Sequence, residues 1–419
     1  MTKLFESFEL LNPLWMRFVC CAALVWPASA TASGTEDEAT SGYGVLHATG
    51  FTMAKSIALA ADGRTVTLTP ATGPATTLPL SQVTAILRGA APGDPKMPTG
   101  SGPYCAEFIS GERLRLNGFT LDEQFLTGRH VLFGELSWSR RQVKRLVRAE
   151  RMLTVPPPQF TGLRFRNGDA MAGEVESVTN DVAMVSMSGV GKIPVTDFNS
   201  VWSMVLARRP AGRRKSFFVN EPEVEILLKN GDVIAGTLVG AADQAWHLKP
   251  AWRDKPFAVP TAFVQALSVG GSSVYLSDLT PEAHETVPYL GFALPWQRDR
   301  SLLETPLRVG AFTAHRGLAL HTKTALHYRI KDMADAPMTL VALAGLDEAV
   351  RVASGGARIV VSVDGAVRFD KTVTSASRPL EVRVEIPAGA QRLTIASDFA
   401  EGGSIGDHVD LLYAAIVRK

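Results

Sequence analysis

Residues 163–175 read LRFRNGDAMAGEV, and residues 226–238 read ILLKNGDVIAGTL. Each stretch is an apolar-alternating run, an Asn-Gly-Asp turn (Asn167, Gly168, Asp169; Asn230, Gly231, Asp232) and a second run that closes on Gly173 or Gly236. Asn-Gly between alternating runs is a strong hairpin signal, because a tight turn needs positive φ and these residues tolerate it. One chain therefore writes the same β-hairpin twice.

The hairpins open longer units. The first continues through MVSMSGVGKIPVTDFNSVWSM (184–204), the second through AWHLKPAWRDKPFAVPTAFVQALSV (245–269), and both close on a Pro, a Phe (Phe198, Phe263) and an apolar strand. Two weaker copies precede them: ADGRTVTL (61–68) leads to LPLSQVTAILRG (78–89), and ISGERLRL (109–116) leads to GELSWSRRQVKRLVR (134–148). The turn glycines Gly63, Gly111, Gly168 and Gly231 are 48, 57 and 63 residues apart, the spacing of one supersecondary unit repeated with insertions. The stretches 92–103, 155–159 and 208–215 are rich in Pro, Gly or charge and read as linkers. The expected repeats are 44–91, 104–152, 160–207 and 221–273. A strand, a Gly-Asp turn, a strand and a late Pro before a final strand resemble the small Sm-like or SH3-like barrels, a resemblance that carries no site residues.

At 419 residues, with 46% hydrophobic and 20% charged residues, the chain has the composition of a folded, multidomain protein. A formal net charge of +2 advertises no polyanion partner. Only RRQVKRLVRAER (140–151) is strongly basic; it lacks interleaved aromatics, reads as a solvated face, and gives no reason to expect nucleic acid. From Met16 the segment MRFVCCAALVWPASATASG has a basic residue (Arg17), an apolar run and small residues at Ala28 and Ala30. That layout is a secretory signal peptide, 1–32 with the start at Met16. Its run is shorter than the ~20 residues of a membrane span. Secreted, periplasmic or cell-envelope localisation follows, and the mature chain keeps one cysteine, Cys105.

Beyond about residue 285 the texture changes. LEVRVEIP (380–387) alternates, RIVVSVDGAVRFDKTV (358–373) turns at Asp364-Gly365, and LTIASDF (393–399) and DLLYAAIVRK (410–419) add strands. Short strands at this spacing predict an antiparallel sandwich. The order of VPYLGFALPWQRDRSLLETPLRVGAFTAHRGLALHTKTALHYRI (287–330), the VDG turn (363–365) and RLTIASDFAEGGSIGDHVDLLYAAI (392–416) resembles the NPCBM module, a novel putative carbohydrate-binding module. The family's basic-Gly-Leu-Gly-Val-His segment corresponds to Arg316–His321, and its Gly-Asp-X-X-Asp segment to Gly406–Asp410. Ala319 replaces the second glycine, and Leu411 stands where the family places a tryptophan. The resemblance implies a galactose-binding-like jelly roll. The fold class expected is therefore all-β: four small barrel-like repeats, then a jelly-roll sandwich at 285–419.

A sugar needs a cleft, fixed polar groups and an aromatic face. The candidates are Trp296 as platform, with Arg298, Asp299 and Arg300 as polar grip, and His315, His321, Asp364, Asp407, His408 and Asp410. In the alternative reading Trp296 plugs the sandwich, His321 donates to backbone and Asp410 caps a turn. No HExxH, Walker or dinucleotide motif is present, and no enzyme and no cofactor is expected. Asp407 and Asp410 offer oxygens only for a structural calcium. The expected partner is a glycan or cell-surface polysaccharide; the alternative is an envelope protein docked on the repeats.

Overall fold

The computed structural model describes residues 42–90, 93–98, 102–149, 160–206, 223–288, 294–350, 352, 355–400, 403 and 405–418. The expected signal peptide and the linkers 155–159 and 208–215 lie outside them. The chain is all-β, and every strand pairing among the described residues is antiparallel.

Four units precede the sandwich. Each starts with a strand (Tyr43–His47, Tyr104–Phe108, Gly162–Phe165, Glu223–Leu228) that pairs with the unit's own last strand (Val83–Arg88, Val143–Arg148, Val201–Val205, Val264–Val269). A single 3-10 turn introduces each last strand: Leu80–Gln82, Arg140–Gln142, Phe198–Ser200 and Thr261–Phe263. Gly168 and Gly231 both occupy positive φ, +98° and +89°. Around each, an amide two residues before the turn and a glycine amide close a three-residue loop (Phe165 N to Asp169 O, Gly168 N to Phe165 O; Leu228 N to Asp232 O, Gly231 N to Leu228 O). Gly111 takes the same place in the second unit, but Gly63 lies in a later hairpin, between Ser56–Leu59 and Thr65–Thr69; the first hairpin of that unit turns before Gly50 instead.

The units are not beads on a string. Last strands pair across units, Val83–Arg88 with Val264–Val269 and Val143–Arg148 with Val201–Val205, so unit 1 joins unit 4 and unit 2 joins unit 3. The pairs meet at Arg113 and Val233, and all four units contribute to one fourteen-stranded sheet.

The two Asn-Gly-Asp turns have different fates. Asp169 is exposed, and its carboxylate accepts from Asn167 Nδ2. Asp232 is fully buried between units 2 and 4, where it accepts from Arg115 N at 3.0 Å, His130 Nε2 at 2.8 Å and Asn230 Nδ2 at 2.7 Å. Because His130 Nδ1 accepts from Leu132 N, the network assigns the proton to Nε2.

The basic run is not a solvated face. Arg140 donates to the carbonyls of Val175 and Glu176, Lys144 and Arg145 hold Glu107, and Arg148 reaches the Phe198 and Asn199 carbonyls of unit 3. Burial alone would raise the Glu107 carboxyl; hydrogen bonds and charge from Arg145 outweigh it and hold the group at about 2.

The sandwich faces a five-stranded sheet (Ala283–Thr286, Thr324–Arg329, Arg392–Phe399, Gly356–Val363, Ala366–Thr374) against a six-stranded one (Gln297–Arg298, Gly317–Leu320, Val409–Arg418, Met338–Leu346, Leu380–Ile386, with Ser273–Tyr275 beside Val409–Arg418). The strand Ser273–Tyr275 extends the sandwich upstream of the expected boundary at residue 285. The second sheet has two apolar faces. Leu340, Ala342, Leu411 and Ile416 face the sandwich core, whereas Val341, Leu343, Leu412 and Val417 pack against Leu46, Leu87, Leu227 and Ala266 of units 1 and 4. Repeats and sandwich belong to one compact unit, Ala39–Lys419.

If the two turns differ as described, Asp232→Ala should destabilise by about 2–3 kcal/mol, since buried donors lose their acceptor. Asp169→Ala should stay within about 0.5 kcal/mol. Urea denaturation of both variants checks this; equal effects contradict the joint.

Candidate functional site

The structure distributes the ten candidate residues over five places. His315 lies in the seam between sandwich and repeats: its Nε2 donates to Glu225 Oε2 at 3.1 Å and its Nδ1 accepts from Tyr413 Oη at 3.1 Å. The neighbouring Arg316 grips both oxygens of Glu225 and bonds Asp278. Burial lowers the His315 imidazole against the pull of Glu225, so the ring is neutral with its proton on Nε2. Asp364 sits in the hairpin turn at one end of the sandwich, where Oδ1 accepts from Gln391 N and Arg392 N. Asp299, at φ +56°, clamps Gly317 through two backbone-directed bonds of 3.0 and 3.1 Å.

Trp296 lies between the two sheets' edge strands. It is half-buried, packs against the sandwich core, meets His284 edge-on at 6.5 Å, and carries the Arg298 guanidinium 4.9 Å from its ring centroid. Arg300 turns instead to Gln297 Oε1, 3.0 Å, and Glu304, 3.8 Å. An indole packed on the core and covered by a cation closes an open sandwich edge.

His321, Asp407, His408 and Asp410 gather at the other end, where Gly317–Leu320, Met338–Leu346 and Arg392–Phe399 finish and Gly356–Val363 and Val409–Arg418 begin. His321 and His408 meet edge-to-face at 5.4 Å. Asp407 is fully buried and fixed by Thr322 Oγ1 at 2.8 Å and Gly356 N at 3.2 Å. Asp410 accepts from Arg308 N at 2.8 Å. Different partners thus hold the two acids proposed for calcium, and among the described residues no group of three or more His, Cys, Asp or Glu could hold a metal.

Two further residues belong to this end. Asp347 is fully buried, and its Oδ1 accepts from Ala349 N at 2.9 Å. Ser301, also buried, pairs its Oγ with Thr305 Oγ1 at 2.8 Å and accepts from Leu303 N. Burial raises the Asp347 and Asp407 carboxyls; burial, then the charge of Asp347, raises Asp410 well above the usual range. Burial, then the charge of His321, lowers His408 to about 4. Three buried atoms here have no hydrogen-bond partner: His408 Nδ1, Asp347 Oδ2 and Asp410 Oδ1. Val352 and Ile405, 40 and 66% exposed, rim the same end.

Residues 272–417 match the family model of the NPCBM/NEW2 domain. No curated protein matches the chain. Among solved structures, CBM51 from Clostridium perfringens GH95, in complex with methyl-galactose, is similar at 22% identity and a TM-score of 0.31, covering 35% of this chain and 99% of that one. CBM51-2 with INT domains of Clostridium perfringens ZmpB, in complex with GlcNAc, is 14% identical at a TM-score of 0.31, covering 58% of this chain and 45% of that one. The tandem CBM51 modules of the family 98 glycoside hydrolase of Streptococcus pneumoniae are 12% identical at 0.31, covering 62% and 88%. Site residues do not transfer at these identities, so those of this NPCBM domain rest on its own geometry.

Trp296→Ala should lower stability by about 2–4 kcal/mol through lost edge packing. Glycan affinity should change little. Intact melting with lost affinity would move the site to the Trp296 edge.

Proposed function

We propose that this protein is an exported, non-enzymatic glycan-binding protein, with the sugar held at the sandwich end formed by His321, Asp407 and His408. The observation that carries the reading is the match of residues 272–417 to the NPCBM domain, supported by the His321–His408 ring pair and the unpartnered His408 Nδ1 at that end. A sugar hydroxyl both donates and accepts. One hydroxyl can therefore satisfy the neutral His408 imidazole, while the aliphatic rim of Val352 and Ile405 meets the C–H face. Asp347 and Asp410 are fully buried, which supports a binding role over catalysis: glycoside hydrolysis needs two carboxyls open to a cleft on either side of the bond. Among the described residues no helix is long and apolar enough to cross a membrane. Export rests on the N-terminal segment, and the native protein should begin near Thr31 or Ser33; a retained Met1 contradicts it.

The test is a broad glycan array probed with the full chain, followed by titration of the strongest hit. His321→Ala and His408→Ala should each weaken binding about tenfold or more, about 1.4 kcal/mol, at unchanged melting temperature. Since His408 gains its proton only near pH 4, the part of the affinity that depends on its neutral ring should be lost as the pH falls through about 4. An array without hits, or full affinity in both variants, overturns the proposal.

A further inference from the structure

The two unit pairs are built alike at their junctions, and one junction is hollow. In the 2–3 pair, Tyr104 opens unit 2 opposite Arg148, whose guanidinium lies 4.8 Å over the Tyr104 ring and donates to the carbonyls of Phe198 and Asn199 in the 3-10 turn of unit 3. In the 1–4 pair, Tyr43 stands opposite Arg88, whose guanidinium lies 6.0 Å from the Tyr43 ring and donates to Thr261 and Ala262, the equivalent turn of unit 4. The correspondence is residue by residue.

The fillings differ. In the 2–3 pair Tyr104, Phe119 and Phe198 make a mutual aromatic cluster at 5.1, 5.9 and 6.0 Å. At the matching places the 1–4 pair has Tyr43, Ile57 and Thr261. The lost rings are only partly replaced by Trp246, which occupies the position of Ala183: both are the second residue after a two-residue positive-φ turn, Asp243-Gln244 and Asn180-Asp181. What remains is a cavity of about 80 Å³ lined by Tyr43, Ile57, Ile86, Arg88, Trp246 and Thr261, among others. It is several times the roughly 10–15 Å³ that one water requires.

We propose that this cavity is a binding site for a single aromatic ring. The chain itself supplies the argument: where the junction is filled, a phenylalanine from the 3-10 turn fills it beside Tyr104, whose ring carries the Arg148 guanidinium. The ring enters where Phe198 sits in the other pair, between Tyr43 and Trp246, with the Arg88 guanidinium beside it. This site is separate from the sandwich end and does not depend on the glycan reading. The ring can arrive on a free small aromatic molecule or on a polypeptide side chain.

Isoleucine-methyl NMR of the full chain separates these cases, with phenol and N-acetyl-phenylalanine amide as probes. Phenol should shift the Ile57 and Ile86 methyl signals saturably, with a dissociation constant on the order of 1 mM for so small a ligand. Thr261→Phe, which copies Phe198, should abolish the shifts while the remaining methyl spectrum stays native; Ile57→Phe, which copies Phe119, should do the same, read at Ile86, should the first variant fold poorly. Shifts from both probes support a side-chain ligand, and shifts from phenol alone support a free aromatic molecule. Absence of saturable shifts from either probe, or shifts that persist in the filled, folded variant, overturns the proposal.

Discussion

The carboxylate of Glu225, part-buried in the seam, constrains everything downstream of it. It sits on the first strand of unit 4, yet its partners, Arg316 and His315, belong to the sandwich. Burial would raise its pKa, but the charge and hydrogen bonds of Arg316, then the hydrogen bond from His315, hold it well below the usual carboxylate range. A buried charge that loses its partner costs about 3–5 kcal/mol, so the two halves of the chain satisfy each other. Tyr275 adds to the seam by donating to Thr84 O, 2.7 Å, and Val269 O, 3.0 Å. With one face of the six-stranded sheet closed by units 1 and 4, a ligand of the sandwich is left with its edges, its ends and the outer face of the five-stranded sheet.

The same economy of shared surfaces shapes the repeats. Chain order 1, 2, 3, 4 becomes the spatial pairing 1 with 4 and 2 with 3, because each last strand offers its free edge to another unit and so leaves fewer edges open. Arg88 and Arg148 fasten these pairs from equivalent positions. Asp232, buried at the joint between pairs, shows how one turn of a repeated hairpin was adapted to hold the array together while Asp169 kept the ordinary exposed form.

Much of this was legible in the residues. Strict alternation in LEVRVEI gave the strand Leu380–Ile386, with Val382, Val384 and Ile386 inward and Arg383 and Glu385 outward, and Asp364-Gly365 gave its neighbour's turn. The seam was written too, in a different code: MTLVALAGL and VDLLYAAIVR are continuously apolar because those strands are buried on both faces. The basic run misled because charge density says nothing of where each guanidinium ends; Arg145 and Arg148 are buried against partners in other strands. His321, Asp407, His408 and Asp410 were readable as polar residues flanking strands, whereas Asp347 and Ser301 join them only through strand register and loop closure, which no local pattern encodes.

The central claim is that the sandwich presents a glycan-binding end while the outer face of its six-stranded sheet is committed to the repeats. Hydrogen–deuterium exchange of the full chain, with and without the glycan that binds best, tests it most directly. The account predicts added protection in peptides covering 321–323 and 405–408, with none around Trp296. Protection confined to the Trp296 edge, or spread along the seam at 225 and 315–316, would contradict it.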